Sequence, residues 1–299
     1  MGPTASGKTD LALRLARFFP VEIISVDSAQ VYQGMDIGTA KPNQELRATV
    51  PHHLIDIRDP ADTYSAAEFR ADANAVMADI VARGRIPLLA GGTSLYFRVL
   101  QQGLSDLPSA DSVLRQKLIE ESARLGWPEL HRRLATVDPV AAERIHPNDH
   151  QRVQRALEVY ELTSKSLSAL WQSQQRQGSD FDFLKLAIGQ IPRTELHERI
   201  AQRFRQMLQE GLVDEVSALR NRGDLHKDLA SMRAVGYRQV WDYLDGQIDH
   251  EGMSKKGIEA TRQLAKRQYT ALRSEADLLW VEQISGSLEK TMEAWLMAG

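Results

Sequence analysis

Gly2-Pro3-Thr4-Ala5-Ser6-Gly7-Lys8-Thr9 decides the fold. It fits G-x-x-x-x-G-K-[ST], a loop that leads into a helix and cradles phosphates with its backbone. Gly2 and Gly7 allow a close backbone approach that a Cβ would block. The loop amides and the free N–H groups of the following helix face an anion. Lys8 adds a point charge, and Thr9 offers a hydroxyl to a phosphate-bound Mg²⁺. Leu11, Leu13, Leu15, Ala16 and Phe18 then supply the apolar faces of a helix packed on a sheet. A ligand carrying a pyrophosphate is expected. A loop of this kind normally follows a buried strand, yet Met1 alone precedes Gly2. The sequence therefore reads as starting one strand late, with a cost in core and hydrogen-bond partners.

Working outward, Val21 to Val26 reads as a buried strand ending at Asp27, and His52 to Ile57 as another. Ser65 to Arg83 reads as a helix, with Ser65 as its cap and Glu68 as the box partner. Arg85 to Ala90 reads as a strand, and Gly91-Gly92-Thr93 as a tight turn into a helix near Ser94. This alternation predicts a parallel sheet with right-handed crossovers. From Ser112 to Gln174 the periodicity is helical, broken at Gly126-Trp127-Pro128, Asp138-Pro139 and His146-Pro147-Asn148-Asp149. Phe183 to Ile188 is expected to return to the sheet as a strand, and Leu278 to Val281 to close it. Long helices are expected over Arg193 to Arg222, interrupted at Gly211, and over Met253 to Ser274. The expected class is α/β: a parallel sheet with flanking helices and an all-helical insertion. Residues 1–110 form the first part of the core, 111–180 the insertion, and 181–299 the second part with basic helices.

Composition excludes several classes. There is no cysteine, hence no disulfide, thiolate metal site or cysteine nucleophile. No apolar run approaches the roughly 20 residues of a membrane span, and no signal-peptide pattern opens the chain. These features fit a cytoplasmic location. A net charge of −3 gives no global case for nucleic acid, so any such case rests on local clusters. Between Lys255 and Arg273 there are six basic residues against one acid. Arg262, Lys266, Tyr269 and Arg273 share one helical stripe. Arg199 and Arg203 lie one turn apart, Arg144, Arg152 and Arg155 border His146 to Asp149, and Arg233, Tyr237 and Arg238 flank Gly236. Each cluster reads either as a solvated helix face or as an RNA contact, with Tyr237 and Tyr269 as stacking partners.

Asp27 ends the strand after the loop helix, at the carboxyl edge of the sheet where ligands bind. There it can anchor a substrate, accept a proton or support a metal, or serve only as a turn residue. Thr93 is the third element of that rim, or simply a helix cap. An ATP-hydrolysing enzyme of this class usually carries an acid at the end of a second buried strand. Here Leu88-Leu89-Ala90 ends in Gly91-Gly92 instead.

Taken together, several ordered stretches resemble the bacterial tRNA dimethylallyltransferases. They are the phosphate loop, Asp27 to Tyr32, Gly34 to Pro42, Gly91 to Tyr96, His146 to Asp149 with Gln151-Arg152 and Arg155, Arg233 to Arg238, and Thr261 to Gln268. The resemblance implies a phosphate-loop kinase-like fold and an insertion that grips the anticodon stem-loop. It implies transfer of a dimethylallyl group from its diphosphate to the exocyclic N6 of the adenosine 3′-adjacent to the anticodon, with release of diphosphate. Asp27 would be the base and Thr93 would donate to the oxygen being released. Gly2, Thr4, Ala5, Ser6, Gly7, Lys8, Thr9 and Arg203 would bind the diphosphate, with Mg²⁺ held through Thr9. The tRNA would touch Asp27, Ser28, Ala29 and Gln30, together with Thr93 and Arg115. Its anticodon arm would meet Gln151, Arg152, Val153, Gln154 and Arg155, then Arg233, Ala234, Val235, Gly236, Tyr237 and Arg238. A monomer is expected. Rival readings are a small-molecule kinase using ATP, an adenylate isopentenyltransferase acting on free nucleotides, and an RNA-binding module with a structural loop.

Overall fold

The computed structural model describes residues 1–104, 107–173, 178–189, 191–281 and 286–298; the expected helical limit at Gln174 and the last residue lie outside the described residues. After the loop, helix α1 (Lys8–Leu15) buries Ala12 and Leu15. Strand β1 (Val21–Val26) is buried along its whole length, the environment of a central parallel strand covered on both faces. Helix α2 (Gln44–Thr49) and the two-residue strand β2 (His52–His53) follow. Helix α3 (Ala66–Ala82) starts at the expected capping box: Ser65 Oγ accepts the Glu68 N–H at 3.1 Å, and the Glu68 carboxylate accepts the Ser65 N–H at 2.8 Å. Strand β3 (Ile86–Gly91) leads into helix α4 (Ser94–Gln102).

The three strands run parallel in the order β2-β1-β3. The expected strand over 52–57 stops after His53 because Leu54 and Asp56 take positive φ, 60° and 58°. That turn delivers the Asp56 carboxylate to Lys41 (2.5 Å) and Arg47 (2.8 Å). Register then fixes the functional edge. Val26 pairs with Gly91, so the residues after them leave the sheet side by side. A Cβ on Gly91 would lie 2.0 Å from the Val26 carbonyl oxygen. Backbone cannot yield to that, so only glycine fits.

Residues 102–179 form a separate compact unit. It holds α5 (Ser112–Leu125), α6 (Trp127–Val137), α7 (Pro139–Arg144), α8 (His150–Thr163) and α9 (Leu167–Ser173). Leu118, Leu130, Leu134, Val153 and Leu157 form its core, each contributing about 1.5–3 kcal/mol by burial. A fully buried carboxylate, Glu158, joins three segments of the unit. It accepts from Arg115 (2.9 Å), Arg155 (2.7 Å) and the Asp111 N–H (2.8 Å).

The remainder belongs to the first unit: β4 (Lys185–Ile188), α10 (Arg193–Gln209), α11 (Leu212–Asn221), α12 (Tyr237–Leu244), α13 (His250–Arg273), β5 (Leu278–Val281) and α14 (Gly286–Ala298). The helix expected over Arg193 to Arg222 is two, parted by Gly211 at φ 101°. Helices α2, α12 and α14 had no clear sequence signal. One expectation is corrected. β4 does not pair with β1 to β3 but with β5, in a parallel sheet of its own. The Ile188 N–H instead donates to the Met1 carbonyl at 3.0 Å, and β3 and β4 both line a groove of about 780 Å³.

Burial pushes the Glu158 carboxyl up, but the hydrogen bonds from Arg115, Arg155 and the Asp111 N–H, together with the Arg115 charge, outweigh it and lower the group's pKa. A depressed carboxyl pKa contributes stability above the unfolded value and loses it as pH falls through the folded one. Glu158→Gln leaves two partly exposed guanidinium groups without their counter-ion and is expected to cost about 1–3 kcal/mol. Urea denaturation of the full chain at neutral pH checks this; a loss below about 1 kcal/mol would show that the pair is solvated.

Candidate active site

The loop presents donors to an anion because of how it enters α1. Gly7 caps the helix at φ 89°, and the first helical N–H groups have no acceptor within the helix. Ser6 is 5% exposed, yet its Oγ finds no partner among the described residues. An orphaned buried hydroxyl in a phosphate loop is a donor awaiting an acceptor. Lys8 folds back to donate to the Pro3 carbonyl at 2.6 Å. Burial pulls its pKa down to about 8, the Asp27 charge pushing the other way and Arg203 adding to the fall. Arg203, on α10, is likewise lowered by burial and held up by Asp27 and Asp10. One carboxylate and two cations therefore share a field at the loop.

Asp27 follows β1 directly. Its Oδ1 accepts the Ala29 N–H at 2.9 Å and the Gln30 N–H at 3.4 Å, an Asx turn that fixes the carboxylate plane. Among the described residues Oδ2 has no protein donor, so it is the oxygen left for a substrate proton. Thr93 Oγ1 accepts the Ser28 N–H at 3.1 Å, and the Thr93 N–H donates to the Val26 carbonyl at 3.2 Å. The Thr93 hydroxyl in turn donates to Ser28 Oγ at 3.5 Å, a long hydrogen bond at an exposed position that a stronger acceptor can replace. Gln30 is less free. Its amide donates to the Thr39 and Ala40 carbonyls (3.2 and 3.4 Å), and its oxygen accepts from Ser25 at 2.9 Å.

A site residue that sequence reasoning missed is Gln268, on α13. Its oxygen accepts the Thr4 N–H at 2.8 Å and its amide donates to the Gly92 carbonyl at 3.1 Å, so it ties the loop to the Gly91-Gly92 turn. Gln268 lies in one of the stretches quoted for the resemblance, and nothing in its local spacing marked it as a bridge.

The basic clusters divide. A cleft of about 1000 Å³ is lined by Arg193, His197, Arg262, Lys266, Tyr269 and Arg273, with Glu259 and Trp280 also on its wall. Burial, with Arg262 and Arg193 nearby, lowers the His197 pKa, so the imidazole stays neutral at physiological pH. Arg233 and Arg238 are exposed, but Tyr237 is fully buried and donates to Glu215 at 2.5 Å. Tyr237 therefore has no free ring face to stack on RNA, and its part in the site is through position. In the second unit Gln151 and Arg152 are exposed, whereas Val153 is core. Arg115 and Arg155 are committed to Glu158, and Gln154 donates to the Arg115 carbonyl at 3.1 Å. Among the described residues no three His, Asp or Glu side chains are grouped to hold a metal, and no helix is long and apolar enough to cross a membrane.

Comparison with known proteins places the chain in a family. A family model described as IPP transferase matches residues 30–275. A protein of Alkalilimnicola ehrlichii named tRNA dimethylallyltransferase is 59% identical over 302 residues, covering 100% of this chain and 95% of its own. The crystal structure of a tRNA isopentenylpyrophosphate transferase from Bacillus halodurans is 38% identical with a TM-score of 0.70, covering 100% of this chain and 94% of that one. A eukaryotic dimethylallyltransferase acting on tRNA is 28% identical with a TM-score of 0.76, covering 94% of this chain and 72% of that one. The small parallel sheet with its helices is a phosphate-loop kinase-like fold.

A Lys8 pKa near 8 in the free protein has a measurable consequence. An anion on the loop restores the ammonium form, so at about pH 9 inorganic diphosphate should bind with uptake of close to one proton by Lys8. Calorimetry in buffers of different ionisation enthalpy measures this, and the Lys8→Arg variant, which does not titrate there, supplies the ligand's own contribution. Equal uptake by both proteins would place Lys8 outside the anion's reach.

Proposed function

The chain belongs to the IPP transferase family, and from that premise we propose that it transfers a dimethylallyl group from dimethylallyl diphosphate to tRNA. The acceptor is the exocyclic N6 of the adenosine 3′-adjacent to the anticodon, and diphosphate is released. The observation that carries this reading is the single rim shared by an anion loop, a carboxylate with one free oxygen and a hydroxyl whose hydrogen is held only by a long 3.5 Å bond to Ser28. An exocyclic adenine amine is a weak nucleophile because its lone pair is delocalised into the ring. Asp27 Oδ2 accepts its hydrogen bond and then its proton as the N6–C1 bond forms. The C1–O bond to the diphosphate breaks at the same time, and its electron pair leaves with the diphosphate. The loop amides, Ser6, Lys8 and Arg203 stabilise that growing charge. Thr93 donates to the oxygen being released.

Mg²⁺ fits the donor set. The Thr9 hydroxyl is exposed at the start of α1, and a hard oxygen beside phosphate oxygens suits that ion. Thr9 would hold it together with the diphosphate, and the ion when bound supplies further neutralisation of the leaving group. For Asp27 to reach N6 the base must leave its stack. Asp27 to Gln30 receive it, with most of the Gln30 side chain committed to the protein. Arg233 and Arg238, and within the insertion Gln151 and Arg152, meet the RNA backbone, as does the basic face of α13. The enzyme acts as a cytoplasmic monomer.

Incubation with labelled dimethylallyl diphosphate, Mg²⁺ and either unmodified tRNA or AMP tests the proposal. Label is expected in tRNA. Preferential labelling of AMP would instead identify a free-nucleotide prenyltransferase, and phosphoryl transfer from ATP a kinase. Asp27→Ala should lose about 10²–10⁴-fold in turnover while still binding tRNA; unchanged turnover would remove Asp27 as the base.

A further inference from the structure

Three successive amides in the segment after Tyr32 converge on one point. The N–H groups of Asp36, Ile37 and Gly38 lie 3.0, 2.7 and 3.2 Å from the carboxylate of Glu215, on α11. Such a run of convergent amides is an anion nest. Here the anion is a side chain of the same protein, 177 to 179 residues away in sequence. The Tyr237 hydroxyl, at the start of α12, is the fourth donor at 2.5 Å. Burial and the Glu215 charge push the Tyr237 phenol far above its ordinary value, so it remains a donor. Every acceptor position of Glu215 is thus in use.

The clamp has no slack. A Cβ on Gly38 would fall 2.4 Å from the Tyr237 ring and 2.9 Å from Leu212. Val31, Met35, Leu212, Val216 and Tyr237 pack in one core beneath it. Just beyond the clamped amides, the Thr39 and Ala40 carbonyls receive the Gln30 side chain, and Ser25 completes its hydrogen bonds. Gln30 belongs to the Asx turn of Asp27. A continuous chain of hydrogen bonds therefore runs from Glu215, through residues 36–40 and Gln30, to the carboxylate at the rim.

We propose that Glu215 is a positioning residue that sets the geometry in which the Asp27–Gln30 rim receives the RNA base, by clamping the amides of residues 36–38. It touches no substrate. The inference rests on the function proposed above for its kinetic consequence, but the clamp itself can be read without turnover. Replacing the carboxylate with a carboxamide substitutes donors for about half of the acceptor positions, and the amides cannot all be served.

The test compares wild type, Glu215→Gln, Glu215→Asp and Tyr237→Phe as full-length chains. Glu215→Gln should speed hydrogen exchange of amides 36–38 at least tenfold and lower kcat/KM for tRNA at least tenfold. Its affinity for inorganic diphosphate should match wild type, because the loop of Gly2 to Thr9 lies outside the clamp. Glu215→Asp, which keeps the charge, should recover part of both losses. Tyr237→Phe, which removes one donor of four, should lose no more than about threefold. Unchanged exchange at 36–38 in Glu215→Gln overturns the clamp. Altered exchange with unchanged kcat/KM on tRNA overturns its role at the rim, and so does an equal loss of diphosphate affinity, which would mark a general effect on folding. If wild type labels no RNA, the functional reading falls on its own. The clamp's reach to the rim is then decided by the side-chain amide resonances of Gln30, which must shift in Glu215→Gln if the inference stands.

Discussion

The working edge of this molecule depends on the backbone contact between Val26 and Gly91. Parallel pairing in that register sends Asp27 and Gly92 out of the sheet together, and a single methyl group on Gly91 would collide with the Val26 carbonyl. Thr93 then reaches the same carbonyl with its N–H and takes the Ser28 N–H on its hydroxyl. Acid and hydroxyl are placed by strand register, which is stiff, and not by a mobile loop. This is what a site needs when a misplacement of about 1 Å costs orders of magnitude in rate.

Charge at the edge suits the leaving group of the proposed reaction. Lys8 and Arg203 both sit where burial weakens their hold on a proton, and both feel the Asp27 carboxylate. On the proposed function an arriving diphosphate would supply the negative charge that these cations lack. On the proposed reaction a departing diphosphate would gain more charge still, and the same groups would then bind the transition state better than the ground state. Gln268 keeps the loop and the Gly91-Gly92 turn in fixed relation. Phosphate loop and glycine turn thus act as one surface.

Buried or half-buried carboxylates do much of the joining elsewhere. Glu22 holds His53 and Arg83, each at 2.7 Å, along the sheet; Glu158 gathers Arg115 and Arg155; Glu215 gathers three amides and a phenol. In each case removing the acid would leave several donors, some of them partly exposed, without their acceptor. The arrangement changes the reading of basic clusters. Arg115 and Arg155 are half of an internal network, whereas Arg152, Arg233 and Arg238 stand exposed. Counting arginines along the sequence does not separate the two kinds.

The amino-acid sequence by itself determined what is local. Gly2 to Thr9 is contiguous, so its loop and helix were legible without any partner. Ser65 with Glu68 fixed a helix start, and the apolar run before Asp27 placed that acid at a strand end. Arg203 was legible as part of a basic cluster, and its place beside the phosphate loop came only through the resemblance. Tertiary structure decided what lies far apart in the chain. The strand at Lys185–Ile188 read as part of one sheet but pairs with Leu278–Val281, because a short apolar run carries no label for its neighbour. The Leu54 and Asp56 turns, the bridge made by Gln268, and the choice of Glu215 to fill a nest of amides depend on side chains meeting across 15 to 264 residues. Sequence spacing encodes which face a residue occupies. Which distant group completes its hydrogen bonds is settled only when the core has closed around both.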